Sequence, residues 1–231
     1  GSGAGKTTLL KILIGLDDPT SGAILVGGEN LVGMPRRRLV EIRRKFGMVF
    51  QYSALLDSMN VLDNLAFPLR EHTRLKDKEI RLRVREKLEA LDLKGIEQRL
   101  PSELSGGMRK RVGLARALML EPEIILYDEP TSGLDPISSR MVDELIVQTR
   151  DRYGVTSVII SHDMAGALRI ADYLYLLRRG RLEAEGTPAQ LVAMTEGIAS
   201  DFFEASGVAA SALVGERPSQ IASVSPPRPL D

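Results

Sequence analysis

Glu123-Ile124-Ile125-Leu126-Tyr127-Asp128-Glu129 is a short apolar segment that ends in two adjacent acids. Apolar runs of this length are typical of strands buried inside a parallel sheet. Ligands of open α/β sheets bind at the carboxyl ends of the strands. Two neighbouring acids on a surface usually form a solvated face, but acids that cap a wholly apolar strand favour a functional pair. We interpret Asp128 as a Mg²⁺ ligand, through water, and Glu129 as the base that orients and deprotonates an attacking water.

Strand and helix patterns alternate after this segment. The pattern predicts helices over 137–153 and 164–170, strands over 157–160 and 173–177, and a hairpin turn at 179–180. Before it, the pattern predicts helices over 7–14, 36–45, 60–69, 77–91 and 108–120, with the third stopped near Pro68, and strands over 23–26 and 46–50. Such alternation indicates right-handed βαβ units and an α/β fold with a mostly parallel sheet.

The first eight residues, Gly-Ser-Gly-Ala-Gly-Lys-Thr-Thr, have the pattern of a phosphate-binding loop. Glycines let the backbone curl so that its N–H groups point at phosphate oxygens, and the following helix N-terminus favours negative charge. Lys6 can reach the β- and γ-phosphates, and the Thr7 hydroxyl can ligate Mg²⁺. Taken alone, the segment is also compatible with a glycine-rich turn that carries a chance lysine.

The two ends of the chain prompt separate expectations. The first glycine of the G-x-x-x-x-G-K-[ST] pattern would precede residue 1, and so would the strand before it. We therefore interpret the sequence as truncated at its N-terminus, or as begun at the wrong codon. Residues 207–231 are rich in Ala, Ser and Pro, which predicts a disordered tail after a domain over 1–206.

A second glycine-rich segment, Leu104-Ser105-Gly106-Gly107-Met108, precedes the predicted helix over 108–120. A helix N-terminus of this kind can bind an anion, and the Ser105 hydroxyl adds a donor. By itself, Ser-Gly-Gly is a common loop.

Composition narrows the class of protein. The chain has 31 basic and 31 acidic residues, so its formal charge of zero argues against broad nucleic-acid binding. The absence of cysteine excludes disulfides, thiolate metal sites and thiol nucleophiles. No apolar run approaches the roughly 20 residues that span a bilayer, so a role at a membrane would need a partner.

Six motifs in order resemble those of the ABC ATPase family across residues 1 to about 190. Gln51 matches the family's Q-loop, LSGGM at 104–108 its signature, YDE at 127–129 its Walker B motif, SGLD at 132–135 its D-loop, and His162 its switch histidine, all after the P-loop. Each motif alone is weak, but six in this order are specific. The resemblance implies a RecA-like P-loop NTPase core with a helical subdomain inserted at about 52–120.

The resemblance also implies an ATP site shared between two copies that close head to tail. The P-loop of one chain would face the signature of the other, Asp135 would bridge the chains, His162 would contact the γ-phosphate, and Gln51 would touch Mg²⁺ or the water. The implied catalytic residues are Glu129, His162 and Lys6. The implied ATP-binding residues are Ser2, Gly3, Ala4, Gly5, Lys6, Thr7, Thr8, Gln51, Ser105, Gly106, Gly107, Met108 and Asp135, and the implied metal ligands are Thr7, Gln51 and Asp128.

Residues 51–73, above all Pro-Leu-Arg-Glu-His-Thr at 68–73, resemble the ATPases of MCE-linked, Mla-type lipid transport, also known as toluene-tolerance ATPases. Met108 and the Asp-Pro-Ile-Ser-Ser run at 135–139 fit this branch. The resemblance implies phospholipid transport with a transmembrane permease, an MCE lipid-binding protein and a STAS-domain protein, and a peripheral place on the cytoplasmic face of the bacterial inner membrane. Leu55, Leu56 and Met59 would contact the permease or simply pack the helical lobe.

Three alternatives stay open at this point. For an importer ATPase for small solutes such as amino acids, residues 51–73 are the only part of the sequence that argues against the assignment. A soluble ABC ATPase of DNA repair or translation normally carries a coiled-coil insert or a second cassette, which this sequence lacks. A non-catalytic structural partner would not need Lys6, Asp128, Glu129 and His162 intact.

Overall fold

The structure, a computed structural model, describes residues 5–194, which form two compact units. One unit consists of residues 6–161, and the other consists of Gly5 and residues 162–194. The predicted ligands Ser2, Gly3 and Ala4 and the predicted tail over 207–231 lie outside the described residues.

The described elements follow one another along the chain as an α/β alternation. The helices are α1 (Lys6–Leu13), α2 (Arg36–Arg43), α3 (Val61–His72), α4 (Asp77–Ala90), α5 (Gly106–Ala117), α6 (Pro136–Tyr153), α7 (Met164–Ile170) and α8 (Pro188–Val192). The strands are β1 (Leu25–Val26), β2 (Glu29–Asn30), β3 (Phe46–Val49), β4 (Ile124–Asp128), β5 (Thr156–Ile160), β6 (Leu174–Arg178) and β7 (Arg181–Gly186).

A parallel sheet in the order β3-β4-β5 organises the larger unit. Val49 pairs with Tyr127, and Asp128 pairs with Ile160, so the three strands end at the same edge. The crossover from β4 to β5 is α6, as the alternation predicted. The sheet therefore brings the residues that follow each strand to one edge, where ligands bind in folds of this kind.

β4 is buried on both faces, which explains its continuous apolar sequence. Ile125 and Tyr127 are no more than 1% exposed on one face. On the other face, Leu126 packs in a core cluster with Leu10 of α1 and Ile160 of β5. The strand that carries the acidic pair is thus fixed from both sides.

The segment between β3 and β4 is helical, and α3 packs against both α4 and α5. The amphipathic pattern of α4 is confirmed, since Ile80, Val84 and Leu88 are no more than 3% exposed. These helices fall within residues 52–120, where the sequence predicted a helical lobe; the boundaries of that lobe remain a prediction.

The sequence predicted that the helix over 60–69 stops near Pro68. This prediction is wrong, because α3 continues to His72. Proline in a helix interior removes one backbone hydrogen bond and costs about 3 kcal/mol. The same helix buries Val61, Leu65 and Leu69 almost completely. Full burial of each such side chain contributes about 1.5–3 kcal/mol, so packing outweighs the cost of Pro68.

The smaller unit contains a hairpin, with β6 and β7 antiparallel. Its turn is the predicted one, and both Arg179 and Gly180 have left-handed φ angles, of 49° and 75°. Two such residues form the turn whose twist matches that of the strands. Met164 and Leu168 of α7 pack with Leu176 of β6 and Leu191 of α8.

Among residues 5–194, no helix is long and apolar enough to cross a bilayer.

Candidate functional site

The predicted lysine and glutamate meet at the end of β4. Lys6 begins α1, and its Nζ lies 3.4 Å from Oε1 of Glu129. Both side chains are largely buried, with exposures of 20% and 14%. Screening by water is therefore reduced, and the pair holds a cation next to a carboxylate at the edge of the sheet.

The backbone of Glu129 is unusual, because its φ angle of 48° lies in the left-handed region. Non-glycine residues adopt this region at a cost of about 1–3 kcal/mol, and such residues cluster at functional sites. The Glu129 N–H donates to the Ile160 carbonyl of β5 at 2.8 Å, which anchors this conformation. The chain therefore turns sharply after Asp128. Asp128 has the extended backbone of β4, whereas Glu129 has a left-handed backbone conformation.

Asp128 is the last residue of β4, and its carboxyl has a raised pKa. Burial raises the pKa most, the neighbouring Glu129 raises it further, and Lys6 lowers it. Two carboxylates side by side repel each other, so the site favours a bound cation.

Gln51 follows β3 by two residues and reaches across to the loop after β4. Its Nε2 donates to the Ser132 hydroxyl at 2.9 Å, although the two residues are 81 positions apart. This contact uses the amide nitrogen and leaves the side-chain amide oxygen of Gln51 available as a ligand. Gln51 is thereby held beside the loop that Glu129 begins.

Lys110 of α5 links the same two loops. Its Nζ donates to the backbone carbonyl of Gln51 at 3.1 Å and also to the backbone carbonyl of Pro130. Burial lowers the pKa of Lys110. The contacts partly replace the hydration that this ammonium loses.

The residues after Gln51 are held against the same helix. Ser53 and Ala54 have left-handed φ angles, and their carbonyls accept from Arg116 at 3.0 and 2.7 Å. A Cβ on Gly113 would lie 3.1 Å from Cβ of Ser53, so a small residue there permits close packing. We call residues 51–54 the Gln51 segment.

The predicted signature residues form the N-terminus of α5. Ser105 is the N-cap, and its hydroxyl accepts from the Met108 N–H at 3.2 Å. This cap explains why α5 begins at Gly106, two residues before the predicted start. Ser105 and Gly107 are exposed, and Met108 is half-buried. The exposed cap and N-terminal N–H groups have the chemistry of an anion site.

Asp135 is the N-cap of α6. Its side chain accepts from the N–H groups of Ile137 and Ser138, both at 3.0 Å, and from the Ser138 hydroxyl. The Ser138 hydroxyl contributes most to lowering the pKa of Asp135. Within the chain, Asp135 therefore has a capping role, and its predicted bridge between chains stays a prediction.

The remaining predicted residues that the structure describes lie at the starts of helices or after a strand. Gly5 has a φ of 92°, which a residue with a Cβ rarely adopts, and Thr7 and Thr8 are exposed in the first turn of α1. His162 follows β5 by two residues and is exposed. Gly106 is half-buried in the first turn of α5.

Sequence reasoning missed Ser132, Lys110 and Arg116 as partners of the Gln51 segment. A signal for the last two exists in the sequence. Lys110, Gly113 and Arg116 recur every three residues, which places them on one face of a helix. The apolar positions of α5 point elsewhere, so this stripe marks a second packed face.

The oxygen ligands available here suit Mg²⁺. Among the described residues, no group of three His, Cys, Asp or Glu side chains could hold a metal ion. Mg²⁺ does not need such a cage, because it binds through one or two carboxylates, waters and substrate phosphates. Asp128, with a raised pKa in a site that favours a cation, and the Thr7 hydroxyl fit this mode.

A family model described as "ABC transporter" matches residues 1–132 of the chain. The chain is 46% identical over 191 residues to the intermembrane phospholipid transport system ATP-binding protein MlaF of Haemophilus influenzae, covering 83% of this chain and 72% of that protein. It is 45% identical over 202 residues to the probable ribonucleotide transport ATP-binding protein mkl of Mycobacterium leprae, covering 87% of this chain and 58% of that protein.

Solved structures agree on the fold. The dimeric post-hydrolysis structure of the ATP-binding cassette MJ0796 bound to ADP and Pi is 34% identical, with a TM-score of 0.71, covering 81% of this chain and 82% of that one. CbiO1 of Clostridium perfringens, part of the ABC transporter complex cbiONQ, is 30% identical, with a TM-score of 0.77, covering 85% and 78%. With Lys6, Gln51 and Glu129 near the carboxyl ends of β3 and β4, these matches establish that the chain belongs to the ABC transporter family, as an ATP-binding subunit.

Proposed function

We propose that this ATPase energises phospholipid transport across the cell envelope, as one half of a head-to-tail dimer bound to a transmembrane permease. The observation that carries the ATPase site is the contact between Lys6 and Glu129 at the end of β4. The transported class is supported by 46% identity to proteins named MlaF and by the 51–73 segment.

The chain's own residues divide the work of phosphoryl transfer. Such reactions need positioning and charge stabilisation more than covalent chemistry. Lys6 and the N–H groups at the start of α1 bind the β- and γ-phosphates. Glu129 orients the attacking water and accepts its proton, and His162 donates a hydrogen bond to the γ-phosphate.

Mg²⁺ would be held by Thr7, Asp128 and the Gln51 carbonyl oxygen, and when bound it neutralises charge on the phosphates. Asp128 supplies the anionic ligand, in keeping with its place beside Glu129. Gln51 is oriented for this role by its hydrogen bond to Ser132.

The second half of the site would come from another copy of the chain. The Ser105 hydroxyl and the exposed N-terminus of α5, with Gly106, Gly107 and Met108, would contact ATP bound to the partner's P-loop. Asp135 would bridge the chains. Since the post-hydrolysis MJ0796 structure is dimeric, a dimer is the expected form.

The permease would contact the surface next to the Gln51 segment. Tyr52 is 84% exposed and Leu56 is 40% exposed, whereas Leu55 and Met59 are half-buried. Exposed apolar side chains grouped in this way suit a protein interface. The chain would then sit on the cytoplasmic face of the bacterial inner membrane, with an MCE lipid-binding protein and a STAS-domain protein as further partners.

A second candidate substrate class comes from the name of a different relative. Mkl, at 45% identity, is named a probable ribonucleotide transport protein, so a small polar anion is the competing cargo. Transport is the measurement that separates the two. With the chain and its permease in liposomes, ATP should drive the transfer of labelled phospholipid and should not drive the uptake of labelled ribonucleotides; the reverse result would favour the second candidate.

The ATPase assignment is tested by Glu129→Gln in the full chain. Without a carboxylate at this position, we expect hydrolysis to fall by a factor on the order of 100 or more, while ATP binding remains and a dimer accumulates with ATP. The matched control is Glu123→Gln, which changes an exposed glutamate at the other end of β4. Equal hydrolysis by Glu129→Gln and wild type would remove Glu129 as the base.

A further inference from the structure

One face of α5 contacts the Gln51 segment at three positions. Lys110, Gly113 and Arg116 are spaced three residues apart, and each contacts this segment. Arg116 donates to two successive carbonyls, and Gly113 admits Ser53 at close range. Because these contacts involve backbone atoms of the segment, Gln51 is tied to the helix whatever the rotamer of its own side chain.

Lys110 adds a second loop to this assembly. Its ammonium bridges the carbonyl of Gln51 and the carbonyl of Pro130, the residue directly after Glu129. Among the described residues, no carboxylate lies within ion-pair distance of Lys110. The lysine is half-buried at the N-terminal half of α5 and is not placed to pair with a charge. The presence of an ammonium group here is explained by its hydrogen bonds to the backbone carbonyls of Gln51 and Pro130.

The two loops that Lys110 joins carry the groups that act on ATP. Gln51 begins one loop, and Glu129 precedes Pro130 in the other. Their second link is the hydrogen bond between Gln51 and Ser132, which lies two residues beyond Pro130. Lys110 therefore controls the distance between the backbone of Gln51 and the loop that carries Ser132, which the Gln51 side chain must span.

We propose that Lys110 is a positioning residue for ATP hydrolysis, which sets Gln51 relative to Glu129 and fastens both to the helix that begins at Ser105. The inference rests on the proposed function, in which Ser105 faces the ATP of the partner. A displacement of α5 when the partner's ATP is contacted is then transmitted to the Gln51 segment through Lys110, Gly113 and Arg116, and to the loop after Glu129 through Lys110. Lys110 thereby couples the two ATP sites of the dimer.

The test compares the kinetics of Lys110→Met with those of the wild-type full chain. Methionine keeps the length and apolar stem of lysine but donates no hydrogen bond. We expect kcat for ATP hydrolysis to fall by a factor on the order of 10 to 100, since small misplacements of catalytic groups have effects of this size. KM for ATP should change by less than about two-fold, because ground-state contacts to the nucleotide remain.

Two further variants make the comparison specific. Lys110→Arg can still donate to both carbonyls and should recover most of kcat. Lys94→Met removes an exposed lysine that pairs only with Glu89 and should behave as wild type. If Lys110→Met does not fold, Lys110→Gln replaces it; its neutral donor should give a kcat between those of Lys110→Arg and a chain without a donor.

A double-mutant cycle with Gln51→Ala identifies the route of the effect. If Lys110 acts by placing Gln51, the double variant should be no slower than Gln51→Ala by more than about two-fold. Multiplicative losses in the double variant, or a rise in KM equal to the loss of kcat in Lys110→Met, would overturn the proposal. Glu129→Gln, measured beside these variants, separates the role of Glu129 as the base from the role of Lys110. Retained hydrolysis in Glu129→Gln would contradict the proposed base. The double-mutant cycle alone would then test whether Lys110 positions Gln51.

Discussion

At the scale of single residues, the site depends on a few side chains whose local backbone is fixed by unusual conformations or caps. Glu129 has a left-handed φ angle that its N–H bond to Ile160 stabilises. Ser105 caps α5 and also presents its hydroxyl to the outside. A residue with both a structural and a proposed chemical role needs a substitution that separates them.

Substitutions of Ser105 separate capping from nucleotide contact. Ser105→Ala removes the cap and should lower the free energy of unfolding by about 1 kcal/mol. Ser105→Asp keeps a capping oxygen and should leave stability within about 0.5 kcal/mol of wild type. Its negative charge would oppose the partner-bound phosphates, so ATP hydrolysis should fall at least about ten-fold.

Urea unfolding and ATP hydrolysis, measured on both Ser105 variants, check this prediction. Ser102→Asp, an exposed position in the 3-10 turn over Pro101–Glu103, is the matched control for the added charge. Wild-type hydrolysis by a well-folded Ser105→Asp variant would show that Ser105 does not face phosphate.

At the scale of elements, buried polar side chains shape the loops that flank the site. Asn64 of α3 is completely buried. Its Nδ2 lies 3.0–3.1 Å from the carbonyl oxygens of Leu56, Met59 and Asn60, which share its two donor hydrogens, and its Oδ1 accepts from the Leu56 N–H at 2.8 Å. One side chain therefore organises the loop between the Gln51 segment and α3, which is the loop proposed to receive the permease.

Asn64→Ala should lower the free energy of unfolding by about 2–3 kcal/mol, because several backbone groups lose their partner while partly shielded from water. Asn60→Ala, which removes the N-cap of the same helix, should cost only about 1 kcal/mol. Urea denaturation of both variants measures the difference. Equal losses in the two variants would mean that the loop keeps its shape without Asn64.

At the scale of the whole molecule, the proposed active unit is a pair of chains, with each ATP held by the P-loop of one chain and Ser105 of the other. This arrangement has a consequence that a site within a single chain does not share. Two variants that are inactive alone, one in each half of the site, can combine to form one intact site.

Lys6→Ala and Ser105→Asp chains, mixed after subunit exchange, should recover hydrolysis. Random pairing makes half of the dimers mixed, and each mixed dimer has one intact site of two, so the expected recovery is at most about a quarter of wild-type activity, and coupling between the two sites lowers it further. Steady-state ATP hydrolysis of the mixture and of each variant alone measures the recovery. The same mixture with Ser105→Asp replaced by the double variant Lys6→Ala/Ser105→Asp is the control, and recovery there, or none in the first mixture, would contradict the shared site.

The sequence by itself determined the family and the parallel sheet, and it named the candidate residues for the chemistry. These follow from local patterns: a glycine-rich loop before Lys6, an apolar strand before Asp128 and Glu129, and a Ser-Gly-Gly start to α5. Phosphate and metal binding need particular residue types at fixed spacing in one short segment, so the signal lies within that segment. The burial of α4 followed from its apolar periodicity for the same reason.

Only the tertiary structure decided which of these segments touch. Gln51 meets Ser132 across 81 positions, and Lys110 joins Gln51 to Pro130. The continuation of α3 through Pro68 likewise depended on how deeply Leu65 and Leu69 are buried against neighbouring helices. Contacts between distant residues and the balance between backbone cost and burial are set by packing, and a sequence without its fold does not contain their geometry.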